Sequence, residues 1–264
     1  MVNDCLTTIS PVRSVTLVHS QNLKLLGLYA KAMKVAILCG GKGTRLSEET
    51  RIRPKPLVEV GGQPILHHIM QSYRKFGFKD FFLATGYLGE QIQDFANKDN
   101  EQENIDVIST GERTLTGGRL LRLKNQLASE SVFMVTYGDG VCDVNINELV
   151  KFHKNHGKIA TVTAVRPPAR FGVMKLDGNR VDYFHEKSQT DAGWINGGYF
   201  VFNSEIFNYL NDDDSVLEEF PLQRLTAEGE LMAFKHDGFW QCMDTLRDKE
   251  FLDELCEQGF TPWL

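Results

Sequence analysis

Gly40-Gly41-Lys42-Gly43-Thr44-Arg45-Leu46 is the stretch whose residue types most directly suggest chemistry. Lacking a Cβ, glycine lets backbone N–H groups approach an anion closely, so this run with its lysine and arginine is a candidate phosphate-binding loop. It is not a Walker loop, because no Gly-Lys-Ser/Thr closes it, and Leu46 stands where a dinucleotide fingerprint needs its third glycine. A tight turn carrying a solvated arginine is the alternative on this motif alone. Pro54-Lys55-Pro56-Leu57 then places a second cation between two prolines, whose fixed φ stiffens the backbone. Far from both, Asp139 in Gly138-Asp139-Gly140 and Asp244 before Thr245 offer hard oxygen donors. Mg²⁺ prefers oxygen ligands and keeps phosphate or water partners, so carboxylates from separate elements could share such an ion. A turn residue at Asp139 and a helix N-cap at Asp244 are the structural alternatives.

The elements that must position these residues can be read from periodicity. Lys34 to Cys39 is a compact apolar run ended by Gly40 and Gly41, a buried strand delivering the chain into the loop. Pro64 to Phe76 puts Leu66, Ile69, Met70 and Tyr73 at helical spacing and stops before Gly77. A strand over Asp80 to Thr85, a helix near Leu88 to Ala96, a strand near Ile105 to Ser109, a helix near Arg119 to Leu127 and a strand over Val132 to Tyr137 continue the alternation. Repeated strand-helix units imply a parallel sheet. After a helix near Ile146 to His156 and a strand over Ala160 to Val165, Val173 to Leu176 and Val181 to Phe184 flank the hairpin signal Asp177-Gly178-Asn179. Tyr199 to Phe202 and Leu231 to His236 read as strands and Thr245 to Cys256 as a closing helix. The expected fold is α/β, an open doubly wound, mostly parallel Rossmann-like sheet with a mixed second half. Its crevice should lie beyond the carboxyl ends of the central strands, where Gly40 and Asp139 fall. Residues 33–264 read as one domain and residues 1–32, without strand-helix alternation, as an appendage.

A chain of 264 residues can bury roughly three quarters of its unfolded surface, and 42% hydrophobic with 24% charged residues excludes disordered and collagen-like classes. The net charge of −6 argues against nucleic-acid binding, which needs many cations, whereas a small phosphorylated ligand needs only a few. Five cysteines without a CxxC pair suggest neither a disulfide framework nor a zinc knuckle, and fit a reducing cytoplasm. No apolar run approaches the roughly 20 residues of a membrane-spanning helix, and no signal-peptide cleavage pattern is evident, so neither membrane insertion nor export is expected.

The glycine loop together with Pro54-Lys55-Pro56-Leu57 resembles the sugar-1-phosphate nucleotidyltransferases, whose signature is GGxGTRL with a downstream PKP or PKx-Leu. The resemblance continues through Tyr137-Gly138-Asp139-Gly140, Phe171-Gly172, Glu186-Lys187, Ile195-Asn196-Gly197-Gly198 and Met243-Asp244-Thr245-Leu246-Arg247-Asp248, covering nearly everything from Met33 onward. Thr116-Gly117-Gly118-Arg119-Leu120 with the Met243 to Asp248 stretch is most similar to the branch that uses CTP and glucose 1-phosphate. Against that branch's typical members, Asn97 to Ile108 is short. The resemblance implies attack by a sugar-phosphate oxygen on the α-phosphorus of the nucleotide, here giving CDP-glucose and pyrophosphate, with Mg²⁺ as cofactor and a homo-oligomer as assembly. Another pair, from UTP, dTTP or GTP and mannose 1-phosphate, or a non-catalytic sugar-nucleotide sensor, remains the alternative.

Both reactants are anions. At an effective dielectric near 20, unit charges 4 Å apart repel by about 4 kcal/mol, so such a site needs cations more than a nucleophile. Carried onto this sequence, the resemblance makes Asp139 and Asp244 metal ligands, places Arg45 on the outer phosphates and Lys55 near the α-phosphate, and gives Lys187 the sugar phosphate. Leu38, Gly40, Gly41, Gly43 and Thr44 would complete the nucleotide site, with Gly118 and Arg119 toward the base. Tyr137, Gly172, Glu186, Asn196 and Gly197 would form the sugar site. Each lysine or arginine could instead be a surface cation, Arg119 a solvated first-turn arginine among them. His153 and His156 lack a third metal ligand and read as solvent-exposed. Cys39 reads as a small core residue, and no Ser-His-Asp arrangement can be assembled.

Overall fold

The structure is a computed structural model that describes residues 33–99, 104–167, 173–185 and 193–264. Its first strand, β1 (Lys34–Cys39), sends Val35, Ile37 and Cys39 into one apolar cluster and Ala36 and Leu38 into another. Both faces are covered, which is why the run is apolar throughout rather than alternating. β2 (Asp80–Thr85), β3 (Asn104–Ser109), β4 (Val132–Tyr137), β5 (Ala160–Val165), β6 (Ile195–Asn203) and β7 (Leu231–His236) complete a seven-stranded sheet of order β7-β5-β6-β4-β1-β2-β3. β6 runs antiparallel to β4 and β5, and every other neighbouring pair is parallel. The expected mostly parallel sheet with a mixed second half is therefore what forms.

The chain leaves β1 toward β2 and β3 and then crosses back to β4 on the opposite side. A topological switch point thus opens between β1 and β4, outside their carboxyl ends. Register puts Leu38 opposite Tyr137 and Cys39 opposite Thr85, so the loops after these strands emerge at one level.

α1 (Ile65–Arg74), α2 (Gly89–Lys98), α4 (Ile146–His156) and α6 (Leu246–Glu257) contribute to the cluster of Val35 and Ile37. On the other face α3 (Thr116–Arg122) and α5 (Phe220–Ala227) pack against Ala36 and Leu38. The single helix expected over Arg119 to Leu127 instead starts at Thr116 and breaks at Leu123, resuming over Lys124–Leu127. α6 is capped by Thr245, whose hydroxyl accepts the Asp248 N–H while the Asp248 carboxylate accepts from the Thr245 backbone. Asp244 is therefore not the cap, and its carboxylate is left to pair with Lys55 and Arg45.

Gly140–Cys142 pairs antiparallel with Trp240–Cys242 in a ribbon that periodicity could not reveal, because three residues carry no period. The Met243 N–H donates to the Asp139 carbonyl at 2.8 Å, so this ribbon brings together aspartates that lie far apart in sequence. The hairpin of Val173–Asp177 with Arg180–His185 forms as expected.

His153 corrects the reading of an exposed histidine: it is 1% exposed, with ring nitrogens 2.9 Å from Thr161 Oγ1 and 2.9 Å from Asn203 Oδ1. α4 lays this polar position on the sheet because β5 and β6 supply partners for both nitrogens, a match between elements that helix spacing alone does not encode. Cys39 is buried, as expected. Among the described residues no helix is long and apolar enough to cross a membrane.

Candidate active site

Beyond the carboxyl ends of β1 and β4 lies a cleft of about 580 Å³, walled by the loop from Leu38 to Arg45, by Lys55 and Pro56, by Glu112 to Thr116 with Arg119, and by Tyr137 to Asp139. Gly43 takes φ +61, and a Cβ there would come within 2.8 Å of Thr50 Cγ2 and 3.1 Å of Lys55 Cβ. The loop thus packs directly on the stem of Lys55. Thr50 Oγ1 donates to the Gly43 carbonyl at 3.0 Å, which pins the turn.

Lys55 begins a short helical turn after Pro54, and its side chain is nearly buried. Its ammonium lies 2.6 Å from Asp139 Oδ2 and 2.7 Å from Asp244 Oδ1. Arg45 Nη1 approaches Asp244 Oδ2 at 2.7 Å from the solvent side. Burial by itself would pull the Lys55 pKa down, but the charges and hydrogen bonds of Asp139 and Asp244 outweigh it and hold the ammonium above the ordinary lysine range. Burial likewise opposes ionisation of Asp244, yet Lys55 and then Arg45 hold its carboxyl below the usual carboxylate range. At neutral pH Lys55 is therefore an ammonium and Asp244 a carboxylate, held against each other at the centre of the group.

Asp139 and Asp244 both reach a single cationic nitrogen, so one cation can bridge them, and their oxygens are the hard donors that Mg²⁺ takes. The residues present fit a divalent ion. Cys39 is the thiol nearest the loop, but burial pushes its pKa up, far from a reactive thiolate. The arrangement is suited to binding and neutralising phosphates, with no activated nucleophile among these groups.

Arg119 is 4% exposed rather than solvated. Its Nη1 donates to Thr110 Oγ1 at 2.7 Å, the Gly111 carbonyl at 2.8 Å and the Thr85 carbonyl at 3.1 Å, and Nη2 donates to the Gly40 carbonyl at 2.8 Å. The guanidinium both edges the cleft and ties the ends of β1, β2 and β3 together. Gly118 lies off the cleft wall: its N–H donates to the Ser215 carbonyl at 3.1 Å, and a Cβ would fall 2.4 Å from the Asp213 carbonyl oxygen. Close backbone approach, rather than contact with a base, is what requires glycine there.

Next to the cleft a small pocket of about 40 Å³ is lined by Tyr137, Asp139, Asn196, Gly197 and Trp240, among others. Asn196 Nδ2 donates to Tyr137 Oη at 3.1 Å, and Tyr137 Oη donates to Glu218 Oε1. The structure so gathers Leu38, Gly40, Gly41, Gly43, Thr44, Arg45, Lys55, Arg119, Tyr137 and Asp139 around one cleft, with Asp244 on Lys55 and Asn196 and Gly197 in the adjoining pocket. Gly172, Glu186 and Lys187 lie outside the described residues. The wall from Glu112 to Leu115 escaped the sequence reading although it directly precedes the Thr116-Gly117-Gly118 motif, and Glu218 carried no local signal at all.

The nucleotidyl transferase family model matches residues 34–245, spanning the glycine loop through Asp244 and Thr245. The chain belongs to this family. Over 253 residues this nucleotidyl transferase is 46% identical to glucose-1-phosphate cytidylyltransferase of Salmonella typhi, with 88% of this chain and 98% of that protein covered. It is 34% identical to mannose-1-phosphate guanyltransferase of Aspergillus oryzae, covering 85% of this chain and 64% of the relative. A crystal structure of HddC from Yersinia pseudotuberculosis complexed with GMP-PN superposes with a TM-score of 0.69 at 26% identity, covering 84% of this chain and 99% of that one.

Proposed function

We propose that this nucleotidyl transferase moves the cytidylyl group of CTP onto glucose 1-phosphate, giving CDP-glucose and pyrophosphate. The observation that carries the chemistry is the convergence of Arg45, Lys55, Asp139 and Asp244 at the mouth of one cleft. Support for the substrate pair comes from the 46% identity to the Salmonella cytidylyltransferase over nearly its whole length.

In the reaction an oxygen of the sugar phosphate bonds to the α-phosphorus of CTP while the bridging bond to the β-phosphate breaks and pyrophosphate leaves. Leu38, Gly40, Gly41, Gly43 and Thr44 cradle the nucleotide with backbone groups, and Arg119 holds that backbone in shape. Arg45 reaches the outer phosphates, where a planar fork can contact two oxygens, and Lys55 supplies a point charge at the reacting phosphate. Tyr137, Asn196 and Gly197 take the sugar end, with Gly172, Glu186 and Lys187 assigned there by resemblance. Asp139 and Asp244 would hold Mg²⁺, which when bound neutralises phosphate charge as it develops.

Pyrophosphate release across four nucleoside triphosphates and several sugar 1-phosphates tests this reading. CTP with glucose 1-phosphate should give the highest kcat/KM, by about tenfold or more over its rivals. A faster pair replaces the substrate assignment. Tight sugar-nucleotide binding with no Mg²⁺-dependent turnover of any pair would make the protein a sensor.

A further inference from the structure

Residues 213–218 dock on the Leu115 to Gly118 stretch almost backbone to backbone. The Leu115 N–H donates to the Asp213 carbonyl at 2.8 Å, the Gly117 N–H to the Ser215 carbonyl at 2.8 Å, and the Leu217 N–H to Thr116 Oγ1 at 2.9 Å. This docking delivers the Glu218 carboxylate between two hydroxyls. Thr116 Oγ1 donates to Oε2 at 2.6 Å, and Tyr137 Oη donates to Oε1. Both hydroxyls donate to this carboxylate, so the Tyr137 proton is committed to Glu218 and the phenol oxygen can only accept elsewhere. One lone pair takes Asn196 Nδ2 at 3.1 Å, and Asn196 Oδ1 in turn accepts from the Gly198 N–H at 2.8 Å. Tyr137 meanwhile lines both the large cleft and the small pocket beside Asp139.

We infer that Glu218 is a positioning residue for the sugar phosphate, orienting Tyr137 Oη as an acceptor for a sugar hydroxyl. The hydrogen-bonded chain Thr116–Glu218–Tyr137–Asn196 also links the nucleotide wall to the sugar pocket. The inference rests on the proposed nucleotidyl transfer. Glu218→Gln keeps the shape but introduces an amide N–H₂ that cannot accept from both hydroxyls, so one bond is lost or the phenol is turned.

Steady-state kinetics of the wild type, Glu218→Gln, Tyr137→Phe and the double variant test it, using whichever nucleotide and sugar 1-phosphate the wild type turns over best. A wrong substrate assignment is then read from the wild type alone, and the positioning role from the variants. Glu218→Gln should raise KM for the sugar phosphate about tenfold, while KM for the nucleotide and kcat change by less than about threefold. The double variant should be no worse than Tyr137→Phe, since Glu218 acts through the phenol. An unchanged sugar-phosphate KM, equal losses for both substrates, or losses that multiply in the double variant would overturn the role. If Glu218→Gln melts well below the wild type, Tyr137→Phe decides, because its ring keeps the edge contact with Phe200. A normal sugar-phosphate KM in that variant overturns the inference as well.

Discussion

Lys55 Nζ sits 2.6 Å from Asp139 Oδ2, a nearly buried ammonium against a carboxylate at the rim of the cleft. The pair holds a cation where the proposed reaction needs one, and it leaves Asp139 on the cleft wall. Asp139→Asn removes the charge and keeps the volume, so the fold should survive while a Mg²⁺ ligand is weakened. Turnover should drop by about 100-fold or more, with circular dichroism unchanged. Wild-type rates across a Mg²⁺ titration would remove Asp139 from the metal site.

Lys55→Ala leaves Asp139 and Asp244 facing each other without their shared ammonium. Two consequences separate the roles of the lysine. Turnover should fall by about 100-fold, because a charge at the reacting phosphate is lost. The rise in melting temperature on adding Mg²⁺ should be larger than in the wild type, because the ion no longer competes with an ammonium and binds the folded state more tightly. A smaller thermal response in the variant would mean that the aspartates do not form an ion site.

How much of this was legible in the sequence depends on how locally each feature is encoded. β1, β2, β4 and β5 stand where their apolar runs put them, because a strand covered on both faces advertises itself continuously. The glycine loop, Lys55 and Asp139 are legible because the strand ends and turns that place them are themselves local. The meeting of Asp139 with Asp244 was legible only through resemblance, since it depends on a ribbon of three-residue strands with no period of their own. Glu218 was invisible: its role comes from the docking of residues 213–218 on another element, and one of two adjacent glutamates downstream of three aspartates looks like any surface acid. His153 misled for the same reason, its partners lying on β5 and at the end of β6.

Arg119 gives its guanidinium to Thr85, Thr110, Gly111 and Gly40, so Arg119→Ala removes a hydrogen bond from each of these strand ends, although the Thr85 and Gly40 carbonyls still accept from the Thr110 and Tyr87 N–H groups. The sequence suggests a residue whose loss erodes base discrimination more than stability, whereas this geometry puts stability first. At about 1 kcal/mol for each hydrogen bond lost and 2–4 °C per kcal/mol, the melting temperature should fall by roughly 5–10 °C. Arg119→Lys should recover only part of that, because a single ammonium cannot fork to three strand ends. A melting curve that superposes on the wild type would place the guanidinium outside the scaffold.

His153 makes a prediction for acid stability. Burial lowers its pKa to about 4, against an ordinary 6.5, the Asn203 hydrogen bond offsetting only part of the effect. Between pH 6.5 and pH 4 the unfolded chain therefore binds a proton that the folded chain refuses. Stability is full above the unfolded pKa, falls as pH drops through this window, and levels off below it, a loss of up to about 3 kcal/mol from this group. His153→Gln cannot titrate, so its unfolding free energy should change less between pH 7 and pH 5 than that of the wild type, whatever its absolute stability. The shallower slope isolates His153 because carboxylates and His156 titrate in both proteins. Parallel stability curves for the two would show that His153 is protonated alike in folded and unfolded chains.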